Sequence, residues 1–271
     1  MNALRSRPPH TVRFGVVMSG VLVLALLALT RSPPVWAASA SNVSIVLVHG
    51  AFVDGSGWKA VFDLLASKGY EVLVAQHSTA TLEGDVATTG RVIADAVHPV
   101  VLVGHSYGGM VITQAGNDAK VRSLVYVAAY APESGESVAT LALVPAQSGE
   151  SRAPLLPMRD GYRMVDPTKF PAAFAADVPM STTRFMAVSQ VPWGLAAVNA
   201  KVGDVAWKSK PTSYLVTSQD RMIPPSVQRM MAKRSRARTI EIDSSHAVML
   251  SHPREVAAFI EAAAIAAQPS P

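Results

Sequence analysis

Gly104-His105-Ser106-Tyr107-Gly108 has the pattern G-x-S-x-G, and it stands between four apolar residues, 100–103, and a stretch of helical character. A chain that reverses from strand to helix over so few residues needs glycine where a Cβ would collide with neighbouring backbone. The reversal lifts Ser106 above the end of the strand. There the first turn of the helix offers free N–H groups and the positive end of its dipole, which stabilise negative charge on a substrate oxygen. A serine hydroxyl is a weak nucleophile until a base takes its proton, so a histidine is required at another strand end. His246 meets that need, because it follows the run Arg238–Ile242 by the turn Asp243-Ser244-Ser245 and precedes the final helical segment. His49 and His105 belong to turn motifs, His77 and His98 lie in loops of other units, and His252 begins a helix, so these five are read as structural.

The base needs an acid to hold its tautomer and stabilise its cation. Asp220 is the choice, in Ser218-Gln219-Asp220-Arg221 after the run Thr212–Thr217. Asp243 is the alternative, with capping of its own turn as its other role. Charge on the substrate oxygen calls for two N–H donors. The Tyr107 N–H, directly after the nucleophile, is one. The Ala51 N–H is the other, in His49-Gly50-Ala51-Phe52 after the first strand, with the Phe52 N–H as the fallback.

The elements that must carry these residues alternate. Ser44–Val48 (SIVLV) is a strand, and Trp58, Val61, Phe62, Leu64 and Leu65 then recur at helical spacing. Glu71–Ala75 is a second strand, a helix over 85–97 ends before Pro99, and residues 100–103 form a third strand that leads into a helix over 107–117. Residues 121–128 are a fourth. Strands alternating with helices imply an α/β fold, a mostly parallel central sheet with helices on both faces. The rhythm breaks between 131 and 209, where prolines, methionines and short helical pieces at 171–176 and 182–189 are expected without a strand. A segment of that length inserted between sheet strands reads as a helical lid over the functional face. Met158, Met164, Met180, Phe185 and Trp193 give it an apolar character, and Phe52, Phe185 and Trp193 are the expected substrate-binding side chains. The α/β pattern returns with Thr212–Thr217, a helix opening at Pro224-Pro225, Arg238–Ile242 and a last helix after Pro253.

The chain of 271 residues is long enough to bury a substantial core, and 49% hydrophobic against 16% charged residues excludes general disorder. Its +5 charge lies at the front. Residues 1–40 hold Arg5, Arg7, Arg13 and Arg31 and no acid, which leaves twenty basic residues against 19 acidic ones in the rest. No nucleic-acid role is therefore expected. A basic start, the 16-residue apolar run 14–29 and the small residues of Val35-Trp36-Ala37 and Ala38-Ser39-Ala40 read as a signal peptide over 1–40, followed by one domain over 41–271. Sixteen residues fall short of the roughly 20 of a spanning helix, so cleavage and export, periplasmic or secreted, are expected rather than a membrane anchor. Arg5 and Arg7 are separated by Ser6, so a twin-arginine signal is absent. With no cysteine, thiolate metal sites and disulfides are excluded.

His49-Gly50-Ala51 with Gly55-Ser56-Gly57-Trp58, then Val103 through Gly109, and finally Asp220 with Ser245-His246-Ala247 and Ser251-His252-Pro253, resemble the α/β-hydrolase superfamily in its compact esterase and hydroxynitrile-lyase-like branch. The resemblance covers nearly all of 43–265, and the order serine, aspartate, histidine matches it. It implies a parallel-rich sheet, no metal or other cofactor, and hydrolysis of a small-molecule ester through an acyl-serine intermediate. Hydroxynitrile lyases of this branch typically carry lysine directly after the catalytic histidine and threonine after the first-loop histidine. Those positions are Ala247 and Gly50 here, so cyanohydrin cleavage is disfavoured and a serine carboxylesterase is the reading. A perhydrolase or haloperoxidase-like activity would use the same triad, and a hydrolase-fold ligand-binding protein or a membrane-tethered protein are the rivals from other classes. If a neutral His246 is the base, activity falls below about pH 6.

Overall fold

Alternate residues of the central strands pack into two different cores on opposite faces of one sheet, as period-two side-chain geometry requires. The computed structural model describes residues 42–268, so the expected leader lies outside the described residues. In chain order the first half comprises β1 (Ser44–Val48), α1 (Lys59–Ala66), β2 (Glu71–Ala75), α2 (Leu82–Asp95), β3 (Val100–His105), α3 (Gly108–Ala115) and β4 (Val121–Val127). The inserted segment carries α4 (Val138–Leu141), β5 (Tyr162–Arg163), α5 (Phe170–Phe174), α6 (Met180–Val188), β6 (Trp193–Gly194) and α7 (Leu195–Asn199). The chain then rejoins the sheet with β7 (Thr212–Thr217), α8 (Pro225–Arg234), β8 (Arg238–Ile242), α9 (Val248–Ser251) and α10 (Pro253–Ala266).

Six parallel strands run in the order β2-β1-β3-β4-β7-β8. Ile45, Leu47, Val101 and Val103 face a core completed by Val61 and Leu65 of α1 and Phe259 and Ile260 of α10. Val46, Val48, Leu102 and Tyr126 face the opposite core, with Ile93 of α2, Met110 and Ile112 of α3, Met231 of α8, and Phe170 and Trp193 of the insertion. Because all six strands share one direction, the loops after β1, β3, β7 and β8 leave from the same edge, and those loops hold Gly50, Ser106, Asp220 and His246.

The helices start and stop within a few residues of their expected limits. The insertion departs from expectation in containing strands: β5 and β6 pair antiparallel, Tyr162 opposite Gly194 and Arg163 opposite Trp193. Two residues are too few to show an alternating pattern in sequence. Its helices sit slightly upstream of the expected 171–176 and 182–189, because Phe170 and Met180 already lie in the first turns.

Candidate active site

Among the described residues Ser106 is one of six non-glycine residues with a positive φ, here 53°, and it is 8% exposed. The turn that imposes this conformation is tight. A Cβ at Gly104 would stand 2.7 Å from the Gly108 carbonyl oxygen, and one at Gly50 would stand 2.7 Å from the Ser106 Cβ. Glycine at 50 therefore lets the loop after β1 lie directly against the serine. The Ser106 carbonyl accepts from the N–H groups of Gly109 at 3.0 Å and Tyr130 at 3.1 Å, which fixes the peptide at the apex.

His246 is fully buried on the loop between β8 and α9, and its Nδ1–H donates to Asp220 Oδ2 at 2.7 Å. Its Nε2 has no hydrogen-bond partner among the described residues. The His105 ring packs 4.6 Å from that of His246, and its Nε2–H donates to the His246 carbonyl at 3.0 Å, which ties the histidine loop to the residue before Ser106. Burial, reinforced by His246, holds the His105 imidazole well below its ordinary pKa, so a neutral ring donates this bond. Phe174 of α5 meets the His246 ring edge-on at 4.9 Å.

Asp220 is itself surrounded by donors. Its Oδ1 accepts from the N–H groups of Met222 at 2.7 Å and Ile223 at 2.9 Å. Its Oδ2 accepts from Thr217 Oγ1 at 2.9 Å and Gln228 Nε2 at 2.8 Å as well as from His246. Asp243, the alternative acid, is exposed and engages Ser218 Oγ and Gln219 Nε2, both at 2.8 Å, away from the imidazole.

Ala51 and Tyr107 are buried, and among the described residues neither their N–H groups nor that of Phe52 donates to another protein group. Phe52 has φ 68° and packs edge-on against Trp193 at 5.4 Å, while Trp193 also meets Tyr107 at 5.4 Å. Phe185 is 69% exposed. With Phe52, Val53, Met186 and Leu250, and with the polar Asp54, Ser56, Thr182 and Ser189, it lines a cavity of about 260 Å³ whose walls do not include Ser106, Asp220 or His246. Met164 instead lines a larger cavity of about 700 Å³ with Ser78, Leu156, Tyr162 and Pro192. Met158 and Met180 are half exposed or more, so the methionines of the insertion do not form a single stripe.

Sequence reasoning missed a second buried network. Asp85 of α2 is fully buried, and its carboxylate accepts from Tyr107 Oη at 2.8 Å, the Thr79 N–H at 3.1 Å and Ser78 Oγ at 3.3 Å. His77 Nδ1 stands 3.4 Å from the same carboxylate, and its Nε2–H donates to the His49 carbonyl at 3.0 Å. The His49 and His77 rings stack at 3.9 Å. Burial and the facing His77 push the His49 imidazole down to about 4. Asp85 thus holds Tyr107 of the serine turn directly, while His77 beside it holds the His49 carbonyl of the loop after β1. An aspartate on the buried face of an amphipathic helix was the available signal.

A family model described as the alpha/beta hydrolase family matches residues 45–259. A carbendazim-hydrolysing esterase of a Nocardioides species is 39% identical over 116 residues, a match that spans 38% of this chain and 47% of that esterase. A probable hydrolase of a Phoma species is 24% identical over 234 residues, covering 78% of this chain and 94% of that protein. The crystal structure of a pyrethroid hydrolase from Sphingobium faniae superposes with a TM-score of 0.72 at 23% identity, over 83% of this chain and 98% of that one. At that identity the likeness establishes the fold.

Proposed function

The chain belongs to the alpha/beta hydrolase family, and from that premise we propose that it hydrolyses small to medium apolar carboxylic esters through an acyl-enzyme on Ser106. The observation that carries this reading is His246, anchored to Asp220 through Nδ1 at 2.7 Å with Nε2 left unpartnered, on a loop joined through His105 to the serine turn. Ser106 Oγ attacks the ester carbonyl carbon as His246 Nε2 takes the hydroxyl proton, and Asp220 stabilises the imidazolium. The N–H groups of Ala51 and Tyr107 hold the oxyanion. Collapse expels the alcohol, which receives the proton from His246. Water, deprotonated in turn by His246, releases the acid and restores the serine. The esterase and hydrolase names among the relatives favour an ester substrate, and Phe52, next to the expected donor Ala51, joins Phe185 and Leu250 along the apolar wall of the neighbouring cavity.

Turnover of short- and medium-chain p-nitrophenyl esters by the wild type and by Ser106→Ala tests the reading. The expected result is a loss of at least about a thousandfold in kcat, and comparable rates in the two proteins would overturn it. A fluorophosphonate should label Ser106, and undiminished labelling in His246→Ala would remove His246 as the base. Export belongs to the same proposal: the mature N-terminus should lie near Ser41, and a secreted or periplasmic product that retains residues 14–29 would refute cleavage.

A further inference from the structure

The histidine loop hangs beyond the last β7–β8 ladder pair, Thr217 opposite Ile242, and the sheet side holds it through Gln219 N–H to the Ser244 carbonyl at 3.1 Å. The N–H groups of the two residues that flank His246 point the other way. The Ser245 N–H donates to Asp177 Oδ2 at 3.0 Å, and the Ala247 N–H donates to the Phe174 carbonyl at 3.0 Å. Both acceptors belong to the inserted segment, Phe174 at the end of α5 and Asp177 in the turn before α6. Asp177 also accepts from Ser244 Oγ at 2.7 Å and, on its other oxygen, from Ser245 Oγ. Ser251 Oγ lies 3.0 Å from Ser244 Oγ, and His252 stands at the rim of the cluster, 3.9 Å from Asp177.

We propose that Asp177 is a positioning residue for the catalytic base: with Phe174 it clamps the backbone on both sides of His246, so the lid itself holds the imidazole in line with Ser106. The inference rests on the esterase reading above. Asp177 touches neither substrate nor reacting atoms. Its effect passes through the Ser245 peptide, and losing it frees one side of a ring whose proton transfer depends on ångström-scale placement, where a shift of about 1 Å costs on the order of a hundredfold. A neighbouring role in lid stability alone predicts something different, because it would alter folding or substrate affinity and leave the chemical step intact.

Asp177→Ala and Asp177→Asn separate the two. Removal of the carboxylate should lower kcat by about 10- to 100-fold with KM within about threefold, whereas asparagine, which keeps one acceptor oxygen, should recover part of that loss. The downfield proton resonance of His246 Nδ1–H should broaden or move in Asp177→Ala and stay in Asp177→Asn. Glu133→Gln, which breaks the exposed Lys208–Glu133 pair elsewhere on the insertion, should leave kcat and the resonance unchanged. If Asp177→Ala fails to fold, Ser245→Ala, which removes the hydroxyl bond to Asp177 and loosens the carboxylate that receives the Ser245 N–H, should still lower kcat and shift the resonance, and an unchanged kcat and resonance there would overturn the proposal. A kcat within twofold of wild type in Asp177→Ala, a loss confined to KM, or an equal loss in Glu133→Gln would overturn the proposal. Absence of wild-type turnover on every ester would strike the esterase reading, and the resonance would then decide the clamp independently.

Discussion

The strain at Ser106 separates stability from chemistry at a single position. A left-handed φ of 53° costs a side chain on the order of 1–2 kcal/mol that glycine does not bear. Ser106→Gly and Ser106→Ala should therefore be equally inactive, yet the glycine variant should unfold at about 1 kcal/mol higher stability in urea than the alanine variant. Equal stability would mean the turn does not strain this residue. Tyr107 makes the complementary case, because its backbone and its ring have different tasks. Tyr107→Phe keeps the N–H expected at the oxyanion but removes the hydroxyl that donates to buried Asp85, so stability should fall by about 1–3 kcal/mol while kcat changes less than tenfold. His49 adds a pH signature. With its folded pKa near 4 and an unfolded value of 6.5, the unfolded chain binds more protons between those limits. Stability is therefore full above about pH 6.5 and declines toward pH 4, by at most about 3 kcal/mol, and His49→Gln should flatten that slope in denaturant titrations.

Between elements, the contact to test is that of the loop after β1 with the turn after β3. Gly50→Ala drives a Cβ to 2.7 Å from Ser106 and should lower kcat and stability together, measured by ester turnover and thermal unfolding. The β-branched runs of β1, β3, β4 and β7 were legible because each buries five or more consecutive residues or nearly so, and turns delimit them. Ser106 and Asp220 stood out for a related reason, since each follows such a run; His246 follows the more exposed β8 and stood out only through the turn and helix around it. β5 and β6 were not legible, since two-residue strands are set by what the insertion packs against. Asp177 was invisible too. Its partners lie 67 and 68 residues away, and nothing local to an exposed-looking Ala-Ala-Asp-Val stretch signals a carboxylate that will receive two serines and a peptide. Those hydrogen bonds outweigh its partial burial and hold its carboxyl below the ordinary range, so its contribution to stability is present above about pH 4 and lost as acid protonates it.

For the molecule as a whole, the described sheet and its two cores are built by residues that follow the expected signal peptide. A chain beginning at Ser41 should fold cooperatively and match the full chain in ester turnover. Its nearly balanced charge predicts elution from a heparin column at low salt, and firm retention would reopen a polyanion partner. The insertion leaves the sheet after β4 and returns at β7, and these two strands are direct neighbours, Leu124 opposite Thr212. Architecturally, then, one cap could be exchanged for another without disturbing strand register, which invites chimaeras aimed at new substrates. The hydrogen bonds from Ser245 and Ala247 make that exchange less modular than topology suggests. A graft that brings no counterpart of Asp177 and Phe174 would import a new pocket and unseat the proposed proton acceptor in the same stroke.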